Sequence, residues 1–594
     1  MRFILIFIIS LLASFYLSAL IKQTTKIKIH SIFGFIIIIA GLIIGFFGGL
    51  VSTPLNILIA FFLGGAGIGV TLYHLLSESY VISERIEKDF ISKHETAFER
   101  FLEILPGALT WIALTSPIWL SFTLPFAVAY LIILADAYWL VNSFKIAALI
   151  FIGYRKMESA KKQNWLSKLS EDYPKIWGKY NHLIVLPTYK EGIDVLSSSF
   201  DALVNSSYPK DKIFLAVGFE ERDDPQKIKE TLVYLRKLEP KIAGVFTTTH
   251  PFGLSGEVPG PGSNRNWVIK NALAELKKKG VRPEDVLVTT LDADFCIHPQ
   301  FLSGMLHKYL STPETKRDKR SYTGAFLYYN NYWQTPAPMR LLATGTALWQ
   351  LSEMVGSDKY INFASLSMNL KSLLALGLWI PDKVNDDSGF YWKAYYYFNG
   401  DYKVIPHFLP INADAVLDVS LPKTFQNQYL QLKRWAYGVE HLPFIVREYF
   451  KNKQTDFWDK TDKLVFVFWS YLKWGTLALF ISFGGVLIPL INTDFSQSVV
   501  AHNLSVISSW ILTAAFVGLF ATIYVHEKTV PERPPEWSFI TRVWSYLQWA
   551  LIPIIIVTIA TLPAIDAQTS LMLGRYLEFR TTIKVRTPNS KPPI

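Results

Sequence analysis

The sequence predicts an α/β domain with a mostly parallel sheet, inserted between two bundles of membrane-spanning helices. Long apolar runs occupy both ends of the 594-residue chain, in which 51% of the residues are hydrophobic and only 18% are charged. Soluble proteins carry about 25% charged residues, so this chain is too apolar to be an ordinary soluble protein. Between the two groups of runs, short apolar segments alternate with amphipathic ones, which is typical of α/β domains. The predicted domains are 1–155, 156–455 and 456–594.

The membrane helices are predicted from apolar runs, because a helix needs about 20 apolar residues to cross a bilayer. Runs of this length before residue 155 lie at 3–21, 32–51, 57–76, 107–127 and 129–152. Runs after residue 470 lie at 474–491, 507–525 and 543–565. We therefore predict a multi-pass membrane protein, with about five helices before the α/β domain and three after it.

The distribution of charge predicts the orientation of the chain. It carries 59 Lys and Arg residues against 48 Asp and Glu residues, a net charge of +11. Basic residues follow the first and fifth runs, whereas the loops at 52–56 and 125–129 have none. Cytoplasmic loops carry the excess of Lys and Arg, so the N-terminus is expected outside and the α/β domain in the cytoplasm, at a plasma or inner membrane. We assign the basic excess to contact with membrane lipids and expect no nucleic-acid partner.

The basic C-terminal tail does not follow this alternation. Three crossings after a cytoplasmic domain would leave the C-terminus outside, where basic residues are not expected. The basic residues of the tail are Arg575, Arg580, Lys584, Arg586 and Lys591. Two interpretations remain: one late apolar run is re-entrant or interfacial, or the charge rule fails here. The side of the C-terminus is left open.

From residue 181 onward, short apolar runs predict strands and longer amphipathic stretches predict helices. The strands are predicted at 182–187, 212–218, 243–248, 285–291 and 322–328. The helices are predicted at 193–204, 225–238, 265–279 and 300–310. This alternation indicates a parallel sheet with helices on both faces. Such sheets bind ligands beyond the carboxyl ends of their strands, so candidate site residues should follow the apolar runs.

Two polar motifs stand at such positions. P-T-Y-K-E (187–191) follows the first predicted strand, and L-D-A-D-F (291–295) follows the fourth. The carboxylates of Asp292 and Asp294 can share Mg²⁺ or Mn²⁺ with a diphosphate, since both cations prefer oxygen ligands. About one D-x-D arises by chance in a chain of this length, but its place at the end of a buried strand favours the metal site.

Two further motifs have an ordinary interpretation beside a functional one. Asp386 and Asp387 head a predicted helix, where acids serve as N-caps and first-turn charges, or as a general base. Q-L-K-R-W (431–435) lies in an amphipathic helix that is expected at the membrane interface. Arg434 and Trp435 would there be a snorkelling cation and an interfacial aromatic, or parts of a binding site.

In their order between two membrane bundles, these four motifs resemble the membrane-embedded family 2 glycosyltransferases, which include cellulose, chitin and hyaluronan synthases. The resemblance covers about residues 181–450. It implies a GT-A type nucleotide-sugar-binding domain. On the donor side, Thr188, Tyr189 and Glu191 would line the pocket for the base and ribose. Asp292 and Asp294 would bind the diphosphate and its Mg²⁺ or Mn²⁺, and Asp294 would thereby be catalytic.

On the acceptor side, the resemblance implies that Asp387 is the base that removes a proton from the acceptor hydroxyl. Gln431, Arg434 and Trp435 would cap the diphosphate and stack on the acceptor sugar, with Arg434 as the catalytic cation. A metal and a fixed cation are what a departing diphosphate needs for its charge.

Two positions depart from the family's pattern. The second predicted strand ends in V-G-F-E-E-R, so Glu220 or Glu221 is expected in place of an acidic pair that binds the base or ribose. The family's lysine-containing segment is here G-S-N-R-N, in which Arg265 would replace the lysine. These differences bear on the identity of the donor more than on the type of reaction.

The sequence therefore predicts an inverting hexosyl- or hexosaminyltransferase that uses a nucleotide sugar, with a UDP-sugar favoured. The expected acceptor is a growing glycan, which is extended through a β-glycosidic bond. Secretion of this glycan through the protein's own membrane helices is an optional part of the prediction. A first alternative is the transfer of one sugar to a polyprenyl phosphate or another lipid acceptor. A second alternative, of a different class, is a catalytically inactive membrane protein that binds sugar nucleotides.

Overall fold

The computed structural model describes residues 10, 11, 14, 37, 62–71, 91, 93–356, 358–361, 363–582 and 586. The predicted membrane runs 3–21 and 32–51 lie outside them except for single positions. Of run 57–76, the short apolar helix Phe62–Thr71 is described. The chain forms two compact units, one of Met1–Arg100 with Pro443–Thr461 and one of Phe101–Leu442 with Asp462–Ile594. The larger unit contains the α/β domain.

The α/β domain is built on an eight-stranded, mostly parallel sheet. Its strands are β1 (Asn181–Pro187), β2 (Ile213–Glu220), β3 (Gly244–His250), β4 (Val286–Thr290), β5 (Cys296–Ile297), β6 (Arg320–Leu327), β7 (Leu366–Asn369) and β8 (Lys403–Asn412). Their spatial order is β3-β2-β1-β4-β7-β6-β8-β5. The pairs β1–β2, β1–β4, β2–β3 and β6–β8 are parallel, whereas β7 runs antiparallel to β4 and β6, and β5 to β8. The predicted α/β fold class with a mostly parallel sheet is confirmed.

In the sequence, helices precede the strands, follow them and connect them. From residue 93 onward they are α1 (Glu95–Thr123), α2 (Pro125–Lys162), α3 (Trp165–Asp172), α4 (Ile193–Val204), α5 (Pro225–Leu238), α6 (Pro261–Lys278), α7 (Phe301–Ser311), α8 (Glu314–Arg317), α9 (Ala337–Gly356), α10 (Leu370–Ala375), α11 (Asp386–Tyr397), α12 (Leu421–Ala436), α13 (Leu442–Lys451), α14 (Phe457–Ile491), α15 (Thr493–Ser496), α16 (Val499–Ala515), α17 (Val517–Thr529), α18 (Phe539–Leu547), α19 (Ile552–Ile555) and α20 (Leu562–Met572).

Sequence signals explain where several of these elements begin and end. The helices α4 and α5 have the predicted bounds. Helix α5 starts after Asp224, whose side chain accepts the N–H of Gln226 as an N-cap. Helix α6 begins at Pro261, earlier than predicted, because proline fits the first turn, where its missing N–H is not needed. The central strands β1, β2 and β4 are buried on both faces, as their continuous apolar runs predict.

Five stretches of the described chain are long and apolar enough to cross a membrane. They are Glu95–Thr123, Pro125–Lys162, Phe457–Ile491, Val499–Thr529 and Phe539–Met572. The predicted runs 107–127 and 129–152 fall on the first two, and the runs 474–491, 507–525 and 543–565 fall on the last three. These helices lie on both sides of the α/β domain in the sequence, which agrees with a multi-pass membrane protein.

The last of these stretches is irregular and contacts two helices of the larger unit. A π-helical turn at Ile556–Thr561 interrupts it. Near its start Gln548 accepts hydrogen bonds from Arg340 (3.2 and 2.9 Å), and near its end Asp566 pairs with Lys433 (2.9 Å). Arg340 and Lys433 belong to α9 and α12, so these contacts favour the re-entrant or interfacial interpretation of the basic tail.

Candidate active site

The first three polar motifs of the chain lie at one edge of the sheet. Strands β1 and β4 are parallel neighbours, so Thr188 after β1 and Asp292 after β4 follow the same ends of adjacent strands. Helices α6 and α11 bring Arg265 and the pair Asp386–Asp387 to the same edge, as the hydrogen bonds described next establish.

Arg265 lies at the centre of this group. One terminal nitrogen, Nη1, donates to Asp386 Oδ2 at 2.5 Å and to Asp387 Oδ1 at 3.1 Å, and Nη2 donates to Asp292 Oδ1 at 3.1 Å. Its side chain is only 1% exposed. Burial by itself lowers the pKa of Arg265, but the three carboxylates outweigh it and raise the pKa above its usual value. Arg265 is therefore a permanent cation that joins the D-A-D motif to the acidic pair.

Close backbone packing allows Arg265 to reach the acidic pair. Gly262, in the first turn of α6, faces the start of α11, and a Cβ there would lie 2.8 Å from Asp386 Cβ. Real Cβ contacts do not reach such a distance, so glycine is required for this approach of the two helix starts. The G-S-N-R-N segment thus supplies both the close approach and the cation.

The two acids of the pair differ in accessibility. The side chain of Asp386 is 6% exposed and that of Asp387 is 23% exposed. Burial raises the pKa of Asp386, and Arg265 opposes this effect. The second oxygen of Asp387 accepts the N–H of Ala364 at 2.8 Å. The N-cap residue of α11 is Asn385, so the oxygens of Asp387 hold Arg265 and Ala364 rather than capping the helix.

The two carboxylates of the D-A-D motif also differ. The side chain of Asp292 is 40% exposed, whereas Asp294 is 2% exposed. Asp294 Oδ2 accepts the backbone N–H of Asp414 at 2.7 Å, and its carbonyl oxygen accepts Asn330 Nδ2 at 2.8 Å. Within the described part of the chain, no three His, Cys, Asp or Glu side chains converge on one metal position. Asp292 and Asp294 fit Mg²⁺ or Mn²⁺ as a pair, because such ions take one or two carboxylates together with substrate phosphates.

Glu191 orders the P-T-Y-K-E loop after β1, to which it belongs. Glu191 Oε2 accepts the hydroxyl of Thr188 at 3.1 Å and the N–H of Tyr189 at 2.7 Å. The guanidinium of Arg222 lies over the ring of Tyr189, 4.3 Å from its centroid. Lys190 has a left-handed backbone (φ 74°), and its N–H donates to Asp223 at 2.9 Å. The loop therefore presents Tyr189 with a cation on one face.

Glu220 ends β2 and lies behind this loop. It is 3% exposed, accepts Asn264 Nδ2 at 2.8 Å and lies 3.4 Å from His250 Nδ1. His250 also contacts Glu257 at 2.9 Å. Burial lowers the pKa of His250, but its two acidic neighbours outweigh burial and raise it. Glu220 is thus already engaged by Asn264, His250 and Arg222. Asp223, by contrast, accepts the N–H of Lys190, next to Tyr189.

Helix α12 carries the Q-L-K-R-W motif and packs on α20. Tyr429 donates its hydroxyl to Asp566 at 3.0 Å, which also pairs with Lys433. The Arg434 guanidinium lies 4.6 Å from the ring centroid of Phe579. Burial lowers the pKa of Arg434, and the carboxylates of Asp292, Asp386 and Asp387 oppose this. The carbonyl oxygen of Arg434 accepts Asn385 Nδ2 at 2.9 Å, so Arg434 lies near the acidic pair, whose charges act on it.

Gln431 and Trp435 complete the motif. Gln431 accepts Gln428 Nε2 at 3.2 Å and donates to Thr582 at 3.4 Å, and Trp435 is half-buried. The structure thus brings Arg265, Asp292, Asp387 and Arg434 together. The Glu191 carboxylate instead contacts its own loop, and Glu220 lies behind that loop.

The C-terminal segment contributes residues that the sequence did not assign. Phe579 covers Arg434, Thr582 contacts Gln431, and Arg586 pairs with Asp414, whose N–H holds Asp294. The basic character of the tail, which does not follow the charge alternation of the loops, is the signal in the sequence that points to these residues.

Comparisons with known proteins give weak likenesses of the fold. No protein-family model matches the chain, and no curated protein matches it. Among solved structures, a mannosyltransferase from Pyrobaculum calidifontis in complex with GDP-Man and Mn²⁺ is 14% identical over 75% of this chain and all of that chain, with a TM-score of 0.37. S. aureus TarS 1–349 in complex with UDP-GlcNAc is 15% identical over 69% of this chain and 98% of that chain, with a TM-score of 0.30. GalNAc-T7 with UDP, GalNAc and Mn²⁺ is 10% identical over 49% and 58%, also at 0.30. At these values the likenesses carry no argument about function.

Proposed function

We propose that the protein is an inverting glycosyltransferase that moves a sugar from a nucleotide sugar, preferably a UDP-sugar, to an acceptor hydroxyl. The observation that carries this proposal is the Arg265 cluster, in which a D-A-D carboxylate and an accessible acid share one guanidinium at the carboxyl edge of a parallel sheet. Sugar transfer needs these functions side by side, since the leaving diphosphate and the attacking hydroxyl meet at one carbon atom.

Asp387 is the general base in this proposal. Its neighbour Asp386 is more deeply buried and bound to Arg265, so an acceptor hydroxyl has better access to Asp387. A general base must first lie within hydrogen-bond reach of the proton that it removes, and only then does its pKa matter. The N–H of Ala364 and the guanidinium of Arg265 fix the orientation of the Asp387 carboxylate. Ala364 has a left-handed backbone (φ 66°), which is costly for alanine and is typical of functional sites.

Arg434 stabilises the leaving diphosphate. It lies on α12 within electrostatic reach of Asp292, Asp386 and Asp387, and its guanidinium remains charged at any physiological pH. Asp292 and Asp294 would hold Mg²⁺ or Mn²⁺, which supplies further charge compensation for the diphosphate when bound. Thr188 and Tyr189 would contact the nucleoside, because they follow β1 directly beside Asp292. Glu191 would support this pocket by ordering the P-T-Y-K-E loop, and Glu220 would support it from behind that loop.

Inversion is proposed because none of these carboxylates is left to serve as a nucleophile. Retention through a covalent intermediate needs a second carboxylate in that role. Asp386 is bound to Arg265 and nearly inaccessible. Asp292 is 40% exposed, but the proposal assigns it to the metal together with Asp294. A single displacement by the acceptor hydroxyl breaks the bond to the diphosphate and forms the new glycosidic bond. An α-linked donor then gives a β-linked product.

One observation favours the lipid acceptor as a second candidate beside the growing glycan. Below α12, helix α20 packs tightly on α1 and α14. A Cβ at Gly107 would lie 2.7 Å from the carbonyl oxygen of Gln568, and one at Gly475 would lie 3.1 Å from Thr110. Gln568 also accepts the hydroxyl of Thr110 at 2.7 Å. Among the described helices, this crossing has no room for a sugar chain, so an acceptor would approach along the membrane surface.

Turnover by the purified protein tests the proposal. The full chain in nanodiscs is offered UDP- and GDP-sugars with Mg²⁺ or Mn²⁺, with polyprenyl phosphate or oligosaccharides as acceptors, and released nucleoside diphosphate is assayed. We expect release from a UDP-sugar that depends on an acceptor and is lost in Asp387→Asn. The matched control is Asp382→Asn, which removes an exposed acid four residues before the acidic pair. Donor binding without any release would favour the inactive binding protein instead.

A further inference from the structure

A buried arginine from the C-terminal tail lies beneath the D-A-D motif. Arg586 is 8% exposed. Its guanidinium binds the carboxylate of Asp414, because Nη2 donates to Oδ1 at 2.7 Å and Nε donates to Oδ2 at 2.9 Å. Nη1 donates to the hydroxyl of Ser198 and, at 3.5 Å, to the carbonyl oxygen of Val195. Arg586 therefore ties the end of the chain to α4 and to the loop after β8.

Asp414 connects this arginine to the candidate active site. Its side chain is completely buried, and its backbone N–H donates to Asp294 Oδ2 at 2.7 Å. Helix α4 has a second link to the same motif, because Ser199 donates its hydroxyl to the carbonyl oxygen of Ala293 at 2.7 Å. The guanidinium thus binds the two elements that hold the D-A-D motif from below.

The contact between Arg586 and Asp414 also balances buried charge. Asp294 and Asp414 are each 2% exposed, and buried carboxylates require a partner. Arg586 contacts the carboxylate of Asp414 directly and offsets its charge, so the two acids and Arg586 together carry a single formal negative charge. Without Arg586 this offset would be lost, and the loop that orients Asp294 would have to rearrange.

We propose that Arg586 is a positioning residue of the active site: by neutralising Asp414, it fixes the backbone N–H that orients the Asp294 carboxylate toward a divalent cation and the donor diphosphate. This inference rests on the proposed glycosyltransfer. It makes the C-terminal tail part of the donor site, and it assigns Arg586 to the α/β domain instead of the membrane surface.

The test compares four variants in the full-length protein in nanodiscs. Arg586→Ala should lower both turnover and Mn²⁺ affinity, measured by titration calorimetry without donor, by about 10–100-fold, as the loss of groups that orient metal ligands does. Arg580→Ala is the matched control, an exposed arginine of the same tail, and should behave as wild type. Arg586→Lys should recover part of both signals, because it keeps the charge.

The decisive variant combines Arg586→Ala with Asp414→Asn. An amide needs no cation and keeps the backbone N–H, so Mn²⁺ affinity and turnover should return to within about threefold of wild type. A double variant as impaired as Arg586→Ala would overturn the proposal, because Arg586 would then act on the donor directly. Arg586→Ala with wild-type affinity and turnover would overturn it too. Wild-type protein that turns over no sugar nucleotide would instead refute the proposed function, and the calorimetric comparison would still decide whether Arg586 orients Asp294.

Discussion

Replacing Asp387 by asparagine separates a general base from a structural acid. The amide has nearly the same size, so donor binding should hardly change, but it accepts no proton from the acceptor. Loss of a general base slows a reaction typically 10²–10⁴-fold, which corresponds to about 3–5 kcal/mol of activation free energy. We therefore expect kcat to fall by this factor and the dissociation constant of the donor to stay within about threefold.

The structure adds a second effect that must be measured separately. The Asp387 carboxylate accepts one hydrogen bond from Ala364 and one from Arg265, and asparagine has a single acceptor oxygen. One of these donors loses its partner, at a cost of about 1–3 kcal/mol in the free energy of unfolding. A moderate drop in thermal stability is therefore expected beside the loss of rate.

The assay measures the transfer rate, the donor affinity and the thermal midpoint for wild type, Asp387→Asn and the exposed control Asp382→Asn. The control should match wild type in all three quantities. A rate for Asp387→Asn within about threefold of wild type, with the stability loss present, would make Asp387 a structural partner of Arg265 and refute its role as base.

The topology, the metal and the buried guanidinium can be tested as directly. In a variant without the native cysteine, single cysteines at Ser159 and Arg580 should label from the same side of the membrane and one at Ser496 from the other. Labelling of positions 580 and 496 from one side would contradict a re-entrant or interfacial last segment. Asp294→Ala should abolish turnover with expression intact, whereas full activity in EDTA would exclude a metal-dependent site. Arg265→Met should lower the stability by about 3–5 kcal/mol, because it removes the cation that binds the buried carboxylate of Asp386. An unchanged thermal midpoint in detergent would contradict that account.

The part of the fold that follows from local pattern was predictable from the sequence. Strands β1 to β4 and helices α4 and α5 are regular alternations of apolar runs and amphipathic stretches, and they lie within a few residues of their predicted bounds. Strand β8 was not predicted, because Pro406 and Pro410 argue against a strand. The structure accommodates them at an irregularity in the pairing of β6 with β8, between Thr323 and Ala325.

The residues of the candidate active site likewise divide into those that the sequence predicts and those that it does not. Residues that directly follow a strand, such as Thr188 and Asp292, can be located from the sequence, because the ends of parallel strands meet at one edge. The contact between Arg265 and Asp386 joins residues 121 positions apart, and no local pattern predicts it. The contact between Asp414 and Arg586 spans 172 positions, and the basic residues of the tail gave no sign of a partner in the α/β domain.

The long-range contacts support the proposed divalent cation at this site, which the motifs alone do not. Five carboxylates and three guanidinium groups belong to this network or act on it electrostatically, and their combined formal charge is −2. They are Asp292, Asp294, Asp386, Asp387 and Asp414 with Arg265, Arg434 and Arg586. A donor diphosphate adds negative charge, so it would be repelled unless a cation entered with it. Arg265 and Arg586 each already pair with buried acids, which leaves Arg434, stacked on Phe579, as the guanidinium best placed to turn toward the diphosphate. Donor and metal binding should therefore be coupled, and the dependence of donor affinity on Mn²⁺ measures that coupling.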